Sequence, residues 1–380
     1  RFLYYDTSNP SFDLYIRPPG VAALQSWGPR ASALFNNETV VDKVLPEMLH
    51  RIDPHWYQFP PMNPLWHAIL AFITSVILII ASTGNGMVIY IFTTTKTLKT
   101  PSNLFIVNLA LSDFLIITTM SPPVVVNTYY ETWIFGPLAC DIYACCGSLF
   151  GCVSIWSMTM IAFDRYNVIV KGIAAKPLTN GGALLRILGI WLFSLAWTIT
   201  PLFGWGKYAP EGNMCVCGTD YLDKSWVHRS YIILYSFACY FMPLFLIIYS
   251  YWFIIQVIDE HKQKKFTVNS PKTELTIFEF KVALMTISLW FMAWTPYLII
   301  NFAGIFKTEL ISPLATIWGS VFAKANAIYN PIVYGISHPK YRAALYARFP
   351  ALACQPSADE SGSVASSGTA VQEEKPSSAA

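Results

Sequence analysis

Seven stretches of this chain are apolar for long enough to cross a lipid bilayer, and that repetition limits the fold to a bundle of membrane-spanning helices. A helix rises about 1.5 Å per residue, so about 20 apolar residues cover a hydrocarbon core of roughly 30 Å. The windows fall at residues 66–92, 103–126, 138–162, 183–203, 231–255, 280–302 and 313–335. Composition agrees: 12% of the residues are charged, whereas a soluble domain needs about 25% to coat its surface. The expected fold class is an all-α membrane protein, a seven-helix bundle. The net charge of +3 is small, and the basic residues sit in short loops rather than along a stripe, which excludes a nucleic-acid partner.

Lys and Arg beside the spans set the orientation, because short cytoplasmic loops keep an excess of them. One side carries Lys96, Lys99, Lys171, Lys176, Lys262, Lys264, Lys265, Lys272, Lys340, Arg342 and Arg348. The other mixes Glu131, Glu211, Asp220, Asp223 and Glu309 with Lys207, Lys224 and Lys307. The N-terminus is therefore expected outside and the C-terminus in the cytoplasm. Asn37-Glu38-Thr39 is a glycosylation sequon, usable only on the lumenal side. The chain divides into an extracellular tail (1–65), the bundle (66–335), a short amphipathic cytoplasmic helix (336–350) and a disordered tail (351–380). In 336–350, Tyr341, Leu345, Tyr346 and Phe349 alternate with basic residues, which suits an anionic membrane surface. Cys354 is a palmitoylation candidate. Residues 1–20 have neither an initiator Met nor a cleavable apolar signal and are set aside as atypical.

Cys140, Cys215 and Cys217 lie near the outer surface, where a disulfide can form. A bridge from Cys140 to either of the other two would tie the loop before the fifth span across the bundle mouth. Cys145, Cys146, Cys152 and Cys239 fall within spans and read as small packing residues. No metal site is expected.

Charge inside a span is costly and so marks function. Lys324 sits about ten residues from either end of its window, too deep for its stem to reach water comfortably. It is either neutralised by a carboxylate on a neighbouring helix or serves as a desolvated nucleophile that forms a Schiff base with an aldehyde. The aromatic cluster Trp290, Phe291, Trp294 and Tyr297 favours the second. Asp113 is a buried carboxylate that, with Asn85, Asn326 and Asn330, forms a polar set serving as interhelical glue or as a network that repacks. Asp164-Arg165-Tyr166 ends the third span, and Pro201, Pro243, Pro296 and Pro331 offer kinks.

In order along the chain, Gly84-Asn85, 108–113, Asp164-Arg165-Tyr166, Trp191, Pro243 with Tyr251, Trp294-Thr295-Pro296 and 330–334 resemble the motifs of the rhodopsin-like G-protein-coupled receptors. Lys324, seven residues before Pro331, matches the retinal lysine of opsins. Segments 35–43, 149–156, 281–297 and 318–341 resemble insect long-wavelength-sensitive visual opsins.

This resemblance implies a photoreceptor carrying 11-cis-retinal or 3-hydroxyretinal as a protonated Schiff base on Lys324. Its pocket would include Tyr143, Gly147, Gly151, Trp294 and Tyr297, and Cys140 would pair with Cys217. It further implies a cytoplasmic switch of Asp164, Arg165, Tyr251, Asn330 and Tyr334, a Gq-type heterotrimeric G protein, a receptor kinase and arrestin acting on Ser361, Ser363, Ser366, Ser367 and Thr369, and a rhabdomeric membrane. The third cytoplasmic loop, 261–280, is shorter than in these relatives, with Thr276 at a position where they tend to have an acid.

A buried cationic Schiff base needs an anion. Tyr143 stands where vertebrate visual pigments place a Glu, Asp113 lies toward the cytoplasm and Asp141 at the outer edge. Glu211, six residues before Cys217, is left as the counterion once the bridge presses its loop down. The chain is not expected to be an enzyme. A retinal photoisomerase would share Lys324 but has no need of the cytoplasmic motifs, and a light-driven ion pump would need carboxylates along the middle of the third span, which has none.

Overall fold

A computed structural model describes residues 38–263, 271–307 and 310–352. Residues 1–20, Asn37, Cys354 and the tail serines and threonine lie outside the described residues, as do the side chains of 261–280, Thr276 among them.

The helices are α1 (Pro64–Thr94), α2 (Asn103–Tyr130), α3 (Gly136–Tyr166), α4 (Asn180–Thr198), α5, α6 (Pro271–Phe306), α7 (Pro313–Ser337) and α8 (Pro339–Arg348). The rod α5 runs Trp226–Ser236, passes through a π-helical turn at Phe237–Phe241 and continues as Met242–Gln263. The first six are long and apolar enough to cross a membrane. The seventh, 25 residues long, joins them although Ser320, Lys324, Asn326 and Asn330 are buried along it.

Local chemistry starts these helices. Asn63, Thr179, Ser225 and Ser312 each accept a backbone N–H of the following turn, leaving fewer orphan donors at the helix end. Most helices run past their apolar windows, because polar turns continue into the headgroup region. The fourth is the reverse: expected to 203, its α-helix stops at Thr198 and a 3-10 turn, Thr200–Phe203, follows. Pro201 has no N–H to return to the Trp197 carbonyl, which accepts instead from the Thr200 hydroxyl at 2.8 Å and from Tyr231 at 3.3 Å. Gly204, with φ 91°, turns the chain away. Pro122 and Pro123 inside α2 are further breakers beyond those read from the sequence.

Helix α3 packs against α2, α4, α5 and α6, and α7 against α6, α1 and α2. Over the outer end lies a hairpin of β1 (Tyr208–Pro210) and β2 (Cys217–Thr219), antiparallel, with Ala209 opposite Gly218. The 3-10 turns Pro46–Arg51 and Pro54–Gln58 add to this outer cap and bury Met48 and Trp56. Arg51 pairs with Asp141 through both terminal guanidinium nitrogens, and Lys43 pairs with Glu131 at 2.5 Å.

Candidate functional site

Beneath the hairpin the helices enclose about 1040 Å³ of empty space, solvent at its openings included. Every residue the sequence assigned to the pocket lines it: Tyr143, Gly147 and Gly151 from α3, Trp294 and Tyr297 from α6, Lys324 from α7 and Glu211 from the hairpin loop. A Cβ on Gly151 would meet the rigid Trp294 ring at 2.8 Å, so close approach favours glycine there, whereas one on Gly147 would meet only the flexible end of Met120, at 2.5 Å.

Lys324 is buried, 6% exposed, and its Nζ donates to the Ser320 hydroxyl one turn earlier at 2.6 Å. Among the described residues no carboxylate lies within 4 Å of that nitrogen. Glu211, 5% exposed, faces the same cavity. Its Oε1 accepts from the Tyr297 hydroxyl at 2.9 Å, and its Oε2 has no donor among the described residues. Burial pushes the Glu211 carboxyl up to about 7, against the pull of the Tyr297 bond and the Lys324 charge. Gly218 makes room for this arrangement, because a Cβ there would lie 2.3 Å from Glu211 Oε1 and 2.6 Å from the Tyr297 oxygen.

Cys140 is bonded to Cys217, which pins β2 to α3. Cys215 stays a free, buried thiol, 3.5 Å from His67 Nδ1, and burial pushes it up. Cys152 and Cys239 are more than separate packing residues, for their sulfurs lie 2.9 Å apart across α3 and α5.

Deeper in the bundle, Asp113 accepts from Ser154 at 3.0 Å and from Asn330 at 2.6 Å. Asn85 donates to the Ala327 carbonyl at 2.7 Å rather than to Asp113, so α1 and α2 grip α7 at separate points. Asn85, Asn326 and Asn330 each keep an amide oxygen without a donor among the described residues. Asn108 bridges three helices, donating to Ser157 and accepting from Trp191 at 2.9 Å.

At the other end, Arg165 pairs with its neighbour Asp164 at 2.9 Å, and both line a second cavity with Tyr334 and Thr286. Tyr251 is buried within electrostatic reach of Arg165. The five switch residues do not form one cluster, because Asn330 belongs to the Asp113 network.

Residues 84–334 match the 7 transmembrane receptor (rhodopsin family) profile. The chain belongs to this family. Members similar to it include Opsin-1 of Manduca sexta, 66% identical over 371 residues, covering 94% of this chain and 98% of that one. The long-wavelength rhodopsin of Apis mellifera is 61% identical over 357 residues, covering 90% and 95%. Among solved structures, squid rhodopsin superposes with a TM-score of 0.76 at 34% identity, covering 80% of this chain and 91% of that one. The receptor's seven-helix bundle and its short helix after the last span are those of the rhodopsin family.

Sequence reading missed the Gly218 contact, the Ser320 partner of Lys324, the Trp191–Asn108 bond and the Arg51–Asp141 pair. Ser320 lies at the i−4 spacing on a helix whose only charge is Lys324, a signal that could have found it. The other three depend on which helices meet.

Proposed function

We propose that this receptor is a visual photoreceptor whose ligand, 11-cis-retinal or its 3-hydroxy form, is held covalently on Lys324 with Glu211 as counterion. The observation that carries this reading is a buried lysine and a buried carboxylate facing one mostly apolar cavity, the carboxylate with one oxygen unpartnered among the described residues. A neutral ligand would leave that oxygen orphaned, whereas a cation formed at Lys324 supplies its charge partner. The residues present therefore fit the group.

When bound, retinal supplies absorption of light and a change of shape at one double bond. The protein supplies the rest. Tyr297 holds one oxygen of Glu211 and orients the other, and Gly218 lets the hairpin settle close enough for that. The Cys140–Cys217 bridge and the outer cap keep the carboxylate under apolar cover, where the interaction between charges is strongest. Trp294, lying against Gly151 and two residues before Pro296, is the side chain through which a ligand would bear on α6. Arg165 and Tyr334, facing the cytoplasmic cavity with Tyr251 close by, would serve the open state that binds a heterotrimeric G protein of the Gq type. Loop charges support an extracellular N-terminus and a cytoplasmic tail, and the similarity to insect opsins supports a receptor kinase and arrestin acting on that tail and residence in a rhabdomeric membrane.

Reconstitution with 11-cis-retinal should give a visible band that acid denaturation converts to a protein-bound retinylidene. Lys324→Ala and Lys324→Met should make neither. A visible band in either variant that survives denaturation would overturn the assignment.

A further inference from the structure

Cys152 on α3 and Cys239 on α5 carry free thiols whose sulfurs lie 2.9 Å apart, and both side chains line the cavity. They are 2% and 7% exposed, so a reagent reaches them through the cavity rather than from the outer surface. Other thiols are engaged differently. Cys145 donates to the Thr198 carbonyl, and Cys215 lies against His67 and the Asn127 carbonyl.

The backbone of α5 accounts for the approach. Cys239 is the middle residue of the π-helical turn Phe237–Phe241, in which the Met242 N–H reaches five residues back to the Phe237 carbonyl. Such a turn holds one residue more than an α-helical turn and bulges, and this one packs directly on α3. Joining the two sulfurs takes a closure of about 0.9 Å, to the roughly 2.05 Å of a disulfide.

We infer that Cys152 and Cys239 are a peroxide-sensitive modification site, at which a second disulfide cross-links α3 to α5 in the retinal-free receptor and bound retinal prevents the reaction. The shielding by retinal rests on the reading of the cavity as a retinal site. Hydrogen peroxide is small and neutral enough to enter an open apolar cavity. One thiol sulfur attacks a peroxide oxygen, the O–O bond breaks, and a sulfenic acid and one water result. The second thiol then displaces the sulfenic oxygen as another water and the S–S bond forms. Two electrons pass from the sulfurs to the peroxide, and both thiol protons end in water. Because the resolving thiol is already in contact, the sulfenic acid is captured before it oxidises further. An empty receptor in oxidising surroundings is thereby stapled, and a loaded one is spared.

The test uses the full chain in lipid nanodiscs, either empty or regenerated with 11-cis-retinal in the dark. Each sample is treated with hydrogen peroxide, blocked with N-ethylmaleimide, digested without reduction and read by mass spectrometry. The empty receptor should lose both thiols from maleimide labelling and yield the Cys152 and Cys239 peptides linked, lighter by two hydrogens than their reduced sum. The pigment should keep both thiols. Cys152→Ser and Cys239→Ser, each shown to be folded by its pigment, should yield no linked peptide. The two positions are 87 apart, so an unfolded chain closes that loop rarely, and linkage of this pair above all others reports the folded contact. An empty receptor that keeps both thiols, or one in which other cysteine pairs link as often, would overturn the site. Equal linkage in empty receptor and pigment would overturn the shielding. Failure to form any pigment would overturn the retinal reading, and the empty receptor would still decide the site.

Discussion

Adding one methyl group at Gly218 tests the geometry of the counterion more sharply than removing the counterion does. Ordinary contact begins near 3.4 Å, and the new Cβ would sit 2.3 Å from Glu211 Oε1 and 2.6 Å from the Tyr297 oxygen. The carboxylate must retreat by about 1.1 Å and the phenol by about 0.8 Å, which their 2.9 Å bond cannot survive unless both move together. The hairpin is fixed by Cys217, the next residue back in β2, so the backbone has little room to yield. Overpacking costs about 1–3 kcal/mol, and loss of a hydrogen bond to a charged group about 1.5–3 kcal/mol. Gly218→Ala should therefore weaken the dark pigment by roughly 2.5–6 kcal/mol, read as thermal loss of the visible band faster by at least about fiftyfold. Tyr297→Phe in the same chain removes one of the two clashing atoms and frees the carboxylate to move, so the double variant should decay more slowly than Gly218→Ala alone. A Gly218→Ala pigment that decays like the unaltered one, or a double variant that decays faster, would refute the contact.

In the retinal-free protein, Glu211 keeps its proton to about pH 7, whereas in an unfolded chain it gives it up near 4.5. The folded state binds more protons in that window, so thermal stability should fall as pH rises from about 4.5 to 7 and level off above it; Glu211→Gln should flatten the slope. In the pigment, Glu211→Gln should shift the dark form toward ultraviolet absorption at neutral pH while Asp141→Asn does not, and equal behaviour of the two would count against Glu211. Asn108→Ala strands the partly buried Trp191 N–H, with an expected loss of about 1 kcal/mol in denaturation, and Trp191→Phe should cost little more once Asn108 is gone. Replacing Arg165 by Gln should leave the dark spectrum in place and remove light-driven nucleotide exchange on the G protein; exchange at the original rate would refute its role.

Much of the bundle was legible in the sequence because burial in lipid leaves few explanations for a charge. Lys324, isolated in an apolar window, and the ordered motifs from Gly84 to Tyr334 carried the fold and the family. The same logic could not see the end of α4, where Pro201 lies inside a window still apolar enough to continue. Nor could it see the π turn in α5, which differs from an α-helix in hydrogen bonding and not in polarity. Gly218 carries no mark in the sequence, for its need appears only when Glu211 and Tyr297 arrive from 7 residues before it and 79 after it. Cys152 and Cys239 read correctly as packing residues one at a time, yet their mutual approach is a property of the pair.

The seventh helix is a poor membrane segment taken alone. Its lysine, asparagines and serine would each resist transfer from the translocation channel into lipid, a lysine at mid-helix by about 2.5–3.5 kcal/mol. In the folded receptor Lys324 turns to Ser320 within α7, while other helices supply two further anchors: Asp113 on α2 receives Asn330, and Asn85 on α1 grips the Ala327 carbonyl. Those two anchors are synthesised first and the helix that needs them last. Assembly is therefore directional, and α7 enters a site that earlier helices have already made polar. Substitutions at Asn85 or Asp113 should accordingly be felt first during biogenesis, as retained and degraded receptor, before any fault in light response can be measured.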